Sequence, residues 1–227
     1  MVDPVKATTR TRRARKAQAT HERIVQAATR LFLQRGYVQT TIDAIAEHAD
    51  VAVETVYARF RNKPNLMIAV KDAAVTEGGH VPLDRRPELD ALAAERDQRQ
   101  QLRIAAELSR GMLERVSPAY QTLRDAAAAD DTLREHLEAD IARRRKFQRT
   151  IVELISATGP LRQDLDQAAD TYSALANPDL YLLLTHHHGW SANQYQAWLA
   201  DSLQHLLPET RSRSAAAASS GSDPETS

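Results

Sequence analysis

Cysteine is absent from the 227 residues, which removes disulfides, thiolate metal sites and cysteine nucleophiles and agrees with a reducing compartment. Aromatic residues make up 5% of the chain, too few to expect an aromatic cage around a ligand. No apolar run approaches the ~20 residues of a membrane-spanning helix, and the basic N-terminus has no apolar segment behind it to act as a signal peptide. A soluble, cytoplasmic protein with no membrane partner is therefore expected. A glycine-rich phosphate loop, a serine elbow and an HExxH histidine pair are all missing, and the carboxylates fall in charge-rich helical faces. No catalytic residues, metal or cofactor are implied, and an enzyme is not expected.

Net charge is also lacking, since 30 basic residues balance 30 acidic ones. The distribution is uneven, however. Lys6, Arg10, Arg12, Arg13, Arg15 and Lys16 face only Asp3, whereas acids outnumber bases after Gly78. A basic N-terminal arm suits phosphate neutralisation or minor-groove insertion; its other reading is a solvated tail.

What is present is helical periodicity throughout, with no convincing strand. Between Thr20 and Leu66 the turn chemistry is dense. Thr20 as N-cap, Glu22 in the first turn and Ile24, Ala28, Leu31 and Phe32 on one face predict a helix ended by Gly36. Thr40, paired with Asp43 in a Thr-x-x-Asp pattern, opens a second helix carrying Ile42, Ile45, Ala46 and Ala49. After a turn over roughly Asp50 to Ala52, Val53 to Phe60 form a third, with Val56 and Phe60 inward. Two short helices joined by a tight turn and walled by a third form a helix-turn-helix, whose second member fits the major groove of B-DNA.

The run from Ile24 to Leu66 resembles the N-terminal domain of the TetR family of bacterial transcriptional regulators. The resemblance lies in Phe32, Gly36 and Tyr37, in Thr40-Thr41-Ile42, in Ile45-Ala46, in Thr55-Val56-Tyr57, and in Phe60, Lys63 and Leu66. Two positions depart from the family pattern. Asp50 stands where the family usually has a glycine with positive φ, a conformation that Asp tolerates better than most residues. Ala52 stands where a Ser or Thr cap is common, a loss of about 0.5–2 kcal/mol.

The resemblance implies an all-α protein with a three-helix DNA-binding domain and a larger helical domain that dimerises and encloses a small-molecule pocket. The expected organisation is a basic disordered arm over 1–17, the helix-turn-helix over 18–62, a connecting helix over 63–79, the larger domain over 80–208 and a disordered tail over 209–227. In the larger domain, helices are predicted over about 88–116, 118–129, 131–157, 161–176, 178–187 and 191–207, because Ser117-Pro118, Asp130-Asp131, Thr158-Gly159-Pro160, Asn177-Pro178 and Gly189 followed by Ser191 are stop or start chemistry.

DNA contacts are expected from Thr40, Thr41, Val53, Glu54, Thr55, Tyr57, Arg59 and Lys63. Hydroxyls at Thr40, Thr41 and Tyr57 and the Lys63 ammonium suit phosphates. Thr55 suits a phosphate or a base, Val53 a thymine methyl, Glu54 cytosine N4 and Arg59 guanine. Tyr57 has an alternative role in packing. Inward candidates for the pocket are Leu108, Met112, Ile141, Phe147, Ile151 and Ile155, each of which would also serve as plain core; Arg143 to Lys146 read as a solvated face with occasional inward reach, which does not by itself indicate an acidic ligand. Leu180, Leu183, Leu184, Tyr195, Trp198, Leu199 and Leu203 are the dimer candidates, or alternatively an intramolecular core. His186, His187 and His188 are adjacent on a helix, so their imidazoles diverge and no metal site is expected.

The functional expectation is a dimeric repressor that holds a palindromic operator in double-stranded DNA until a small-molecule effector binds. The alternative is a regulator that answers to a protein partner or has no ligand.

Overall fold

The computed structural model describes residues 4–76 and 87–209, with side chains from Ala14 onward. The expected end of the connecting helix at 79, the start of the larger domain at 80 and the expected tail beyond 209 lie outside the described residues. Within them the chain forms ten α-helices and one π-helical turn: α1 Pro4–Gln39, α2 Ile42–His48, α3 Val53–Phe60, α4 Lys63–Val75, α5 Pro87–Ala94, α6 Gln98–Ala127, α7 Asp131–Ser156, α8 Leu165–Leu175, α9 Pro178–Leu182, the π turn Leu183–His187 and α10 Ala192–Leu206. Among the described residues, none lies in a strand, and no helix is long and apolar enough to cross a membrane.

Two apolar cores organise the fold. The first gathers α1 to α4 around Ile24, Leu31, Phe32, Ile45, Val56, Phe60 and Leu66. The second gathers α5 to α10 around Leu102, Leu113, Ile151, Val152, Tyr172, Tyr195 and Leu203. Burial of an aliphatic or Phe side chain contributes about 1.5–3 kcal/mol, which lets helices as short as α2 and α3 persist where isolated peptides of that length would not. Helix α6 belongs to both cores: Leu102 to Leu113 enter the second, and Ala119, Leu123, Ala126 and Ala127 enter the first.

Several expected boundaries move. Thr20 does not cap α1; it lies inside the helix, its hydroxyl donating to the Lys16 carbonyl at 3.0 Å. The helix runs back to Pro4, so the segment expected as a disordered arm is helical from there, in keeping with proline at the first position followed by Ala, Arg, Lys and Gln with no glycine. Gly36 breaks the helical geometry as anticipated, with φ 76° and ψ 168°. The predicted 88–116 helix divides at residues 95–97, because Asp97 caps α6 by accepting from the Arg99 and Gln100 amides. Pro118 does not begin a new helix but sits within α6, where continued burial of Val116, Ala119, Tyr120 and Leu123 outweighs the missing hydrogen bond. Helix α8 starts at Leu165 behind an Asp164 cap, later than expected. The junctions at Asp130, Asn177 and Ser191 carry the anticipated caps, Ser191 within a full capping box.

Candidate nucleic-acid interface

Helices α2 and α3 meet at a turn in which Asp50 adopts φ 50°, the left-handed conformation anticipated for it. The Asp50 and Val51 amides donate back to the Glu47 and Ala46 carbonyls at 3.1 and 3.0 Å, so the end of α2 is closed without glycine. Ala52 supplies no side-chain cap to α3; the Thr55 amide donates instead to the Ala52 carbonyl at 2.9 Å.

Val56 and Phe60 turn inward at 1% and 5% exposure, while Glu54, Tyr57 and Arg59 are exposed. Tyr57 therefore faces solvent instead of packing. Thr55 is half-buried, and Val53 leans against the first core. The expected role of Thr40 is corrected: it is fully buried, and its hydroxyl reaches the Leu31 and Gly36 carbonyls at 3.2 and 2.8 Å, which leaves it nothing to offer a phosphate. The cap of α2 is Thr41, whose exposed hydroxyl oxygen accepts from the Ala44 amide at 3.1 Å and keeps its own proton free to donate. Lys63 stands over the Tyr37 ring at 4.2 Å and donates to the Val38 carbonyl at 3.5 Å; partial burial lowers its ammonium pKa. Burial, assisted by the Asp130 charge, pushes the Tyr37 phenol up to about 12.

Sequence reasoning missed a second set of groups at this end. Arg23 and Arg30 on α1 and His48 on α2 line a cleft of about 250 Å³ beside Asp50. The available signal was the seven-residue spacing of two arginines on the exposed face of α1.

The head is tied to the rest of the chain by a buried ion pair. Lys71 of α4, 1% exposed, places Nζ 2.6 Å from an Asp140 carboxylate oxygen on α7 and 2.7 Å from Asp72; Arg143 holds Asp140 from outside at 3.0 Å. Burial alone would raise the Asp140 pKa, but the charges and hydrogen bonds of Lys71 and Arg143 carry it below the ordinary carboxylate value. His136 beside them is lowered by burial and by the Lys71 charge.

In the second core, Leu108, Met112, Phe147 and Ile151 line a small void of about 30 Å³, together with Arg144 and Gln148. Two pocket expectations are corrected. Ile141 is 44% exposed, because α7 turns it outward, and Ile155 is wholly buried in core packing away from the void. Ser109 and Tyr172 meet at 2.6 Å between hydroxyl oxygens; burial pushes the Tyr172 phenol up to about 12. A larger, open groove of about 500 Å³ lies between α1, α4 and α6, with His21, Glu22, Asp72 and Arg115 among its walls.

Of the dimer candidates, Tyr195, Leu199 and Leu203 are fully buried within the chain's own second core, so an interface role for them is corrected. Leu183 is 44% exposed, and Leu180, Leu184 and Trp198 are half-buried. His186 and His187 end the π turn with their rings edge to face at 6.1 Å, followed by Gly189 at φ 73°. Among the described residues no group of three or more His, Asp or Glu could hold a metal ion.

Residues 24–70 match the sequence model described as bacterial regulatory proteins, tetR family. The uncharacterized HTH-type transcriptional regulator YdeS of Bacillus subtilis is 28% identical over 150 residues, spanning 66% of this chain and 71% of the relative. The HTH-type transcriptional regulator TtgR of Pseudomonas putida is 42% identical over 57 residues, 25% of this chain and 27% of its own. Among solved structures, NalD of Pseudomonas aeruginosa, named as the secondary repressor of a multidrug efflux pump, aligns with a TM-score of 0.64 at 20% identity, covering 86% of this chain and 98% of NalD. A candidate transcriptional regulator from Saccharomonospora viridis, solved in complex with choline, aligns with a TM-score of 0.66 at 23% identity over 84% of this chain and 98% of that one. These likenesses in structure establish the fold.

Proposed function

The chain belongs to the TetR family of bacterial transcriptional regulators, and we propose on that premise that it is a cytoplasmic, homodimeric repressor released from a palindromic operator by a small molecule. DNA binding and transcriptional regulation are common to the family and its named relatives. The observation that carries the reading is the two-faced α3, with Val56 and Phe60 locked into the core and Glu54, Tyr57 and Arg59 free on the other side.

In the proposed division of labour, residues 18–62 read DNA, α4 connects, and residues 80–208 dimerise and sense the effector. Thr41, Tyr57 and Lys63 hold phosphates, while Val53, Glu54, Thr55 and Arg59 face base edges. The partner subunit docks against α9, the π turn and α10 through Leu180, Leu183, Leu184 and Trp198. Two-fold symmetry has its own motive, because one small helix-turn-helix reads few base pairs and a dimer reads two half-sites. Repression is supported by the name of NalD, and a small-molecule effector by the choline complex.

The effector acts by population shift: it favours the arrangement in which the two heads are wrongly spaced, with a coupling of about 1–3 kcal/mol. Helix α4 is the covalent route between sites. Helix α6 is a second route, since it lines the void with Leu108 and Met112 and supports the head with Leu123. Pro118 lies between those two stretches.

Selection of bound sequences from random duplex DNA tests the reading, with Thr55→Ala plus Tyr57→Ala as control. Enrichment of a palindrome that the control loses is the expected result. Failure to enrich any sequence at moderate salt would sink it.

A further inference from the structure

Helix α7 carries Arg143, Arg144, Arg145 and Arg149, and three of the four are matched by acids. Arg143 reaches Asp140 at 3.0 Å, Arg145 reaches Asp170 at 2.6 Å, and Arg149 meets Glu153 at 3.1 Å and also Asp166. Arg144 has no carboxylate partner among the described residues. It turns inward, its guanidinium carbon 5.3 Å from the centre of the Tyr120 ring, and its Nε is buried and donates to nothing. One turn further on the same helix, Gln148 is 5% exposed; its amide nitrogen donates to the Ala176 carbonyl at 3.1 Å, while its Oε1 is buried and accepts nothing. Both side chains line the void in the second core, and no Asp or Glu does. A buried donor and a buried acceptor left unmade are costly to a fold, so the two side chains mark a polar end of the void.

We propose that this cavity takes an apolar carboxylic acid, its carboxylate paired with Arg144 and a hydroxyl or N–H beside the carboxylate donating to Gln148 Oε1. The inference rests on the effector reading above and names the chemical class of that effector. Leu108, Met112, Phe147 and Ile151 supply the apolar wall. A quaternary ammonium would meet a guanidinium and no acid here, so a cationic ligand is disfavoured by charge. The void of about 30 Å³ has room for little more than a water; the acid enters by parting α6 from α7, and the half-buried Met112 and Phe147 are the side chains that yield.

Four probes sharing one apolar body test this by titration calorimetry on the full chain: phenyllactate, phenylpropanoate, phenylpropanol and phenylpropylamine. The two acids bind, phenyllactate the tighter, and the alcohol and amine bind at least about tenfold more weakly. Arg144→Gln brings the acids down to the level of the alcohol and leaves the alcohol unchanged, whereas Arg143→Gln alters neither. Should Arg144→Gln fail to fold, the ratio of acid to alcohol on the native chain decides. Equal binding of alcohol or amine, an acid preference that survives Arg144→Gln, or no binding of any probe at millimolar concentration overturns the proposal. Release of selected DNA, measured on the same preparation, separates the two readings: if the alcohol or the amine releases it and the acids do not, the effector reading stands and only the anionic head group falls.

Discussion

Removing the buried Lys71 charge tests the tie between the head and the rest of the chain. Lys71→Met keeps the apolar stem that packs between α4 and α7 and deletes the ammonium 2.6 Å from Asp140. Removing one partner of a buried pair costs about 3–5 kcal/mol, because the other charge is stranded. Here Asp140 is 14% exposed and keeps Arg143 at 3.0 Å, so the expected loss is about 2–3 kcal/mol. At roughly 2–4 °C per kcal/mol for a chain of this size, Tm falls by about 4–12 °C. Adding Asp140→Leu removes the stranded carboxylate, and the double variant returns to within about 1 kcal/mol of the parent. Urea unfolding of the parent, both single variants and the double variant, at neutral pH and one protein concentration, yields the coupling energy directly. A coupling below about 0.5 kcal/mol, the range of exposed pairs, would refute the reasoning.

The pH dependence has a definite sign. Asp140 has a folded pKa depressed below its unfolded value of about 3.9, so its contribution is complete above that value and disappears as the pH falls through the folded one. His136 is depressed as well; its contribution is complete above about pH 6.5 and is lost as acid forces a proton onto it. In Lys71→Met the main force lowering Asp140 is gone and burial raises it, so the acid transition moves to higher pH.

Ala52→Ser supplies the missing cap of α3 and raises stability by about 0.5–2 kcal/mol, measurable as an increase in the urea midpoint; no increase would mean that α3 is already saturated by the Ala52 carbonyl. Asp50→Val forces a β-branched residue into φ 50° and costs about 1–2 kcal/mol, whereas Asp50→Gly stays within about 0.5 kcal/mol because relief of strain offsets added chain entropy. Leu183→Arg places a charge in the proposed interface and yields a monomer in sedimentation, with an unchanged helical spectrum; a persistent dimer would move the interface elsewhere. Deletion of residues 1–16 removes six basic side chains and flattens the plot of log affinity for DNA against log salt, by about 0.9 for each phosphate that is no longer neutralised. An unaltered slope would leave that segment without a role on DNA.

The head was legible in the sequence because its signals are local: apolar spacing fixes the inward faces of α1 to α3, and Gly36 and Asp50 mark the turns. Asp130 and Ser191 announced α7 and α10 for the same reason. One-residue choices were not legible. Thr40 and Thr41 are chemically alike, and only the packing of α1 against α2 decides which is buried and which caps. Pro118 signals a break locally, yet two cores grip the helix on either side of it. Occasional inward reach was expected of the basic run from Arg143 to Lys146, but which member turns in was not legible, since only packing separates Arg144 from its exposed neighbours. Tyr195, Leu199 and Leu203 show the limit of apolar patterning, which identifies a buried face but not whether the covering surface comes from the same chain.

The sharing of α6 between the cores bears on how the molecule can be cut and recombined. Leu123 and Leu133, both without solvent exposure, join Ala119, Ala126 and Ala127 in completing a core whose remaining buried members lie between Ile24 and Val70. A fragment ending after α4 would expose the apolar seat of those two side chains together with that of Ala119, Ala126 and Ala127, and exposed patches of this kind favour aggregation. The reading head is thus a poor candidate for excision as a free-standing module. A head transplanted from a relative would need its matching stretch of α6 and the first turn of α7 to travel with it, so the useful seam for building chimaeras runs through Pro118 and not through the connection after α4.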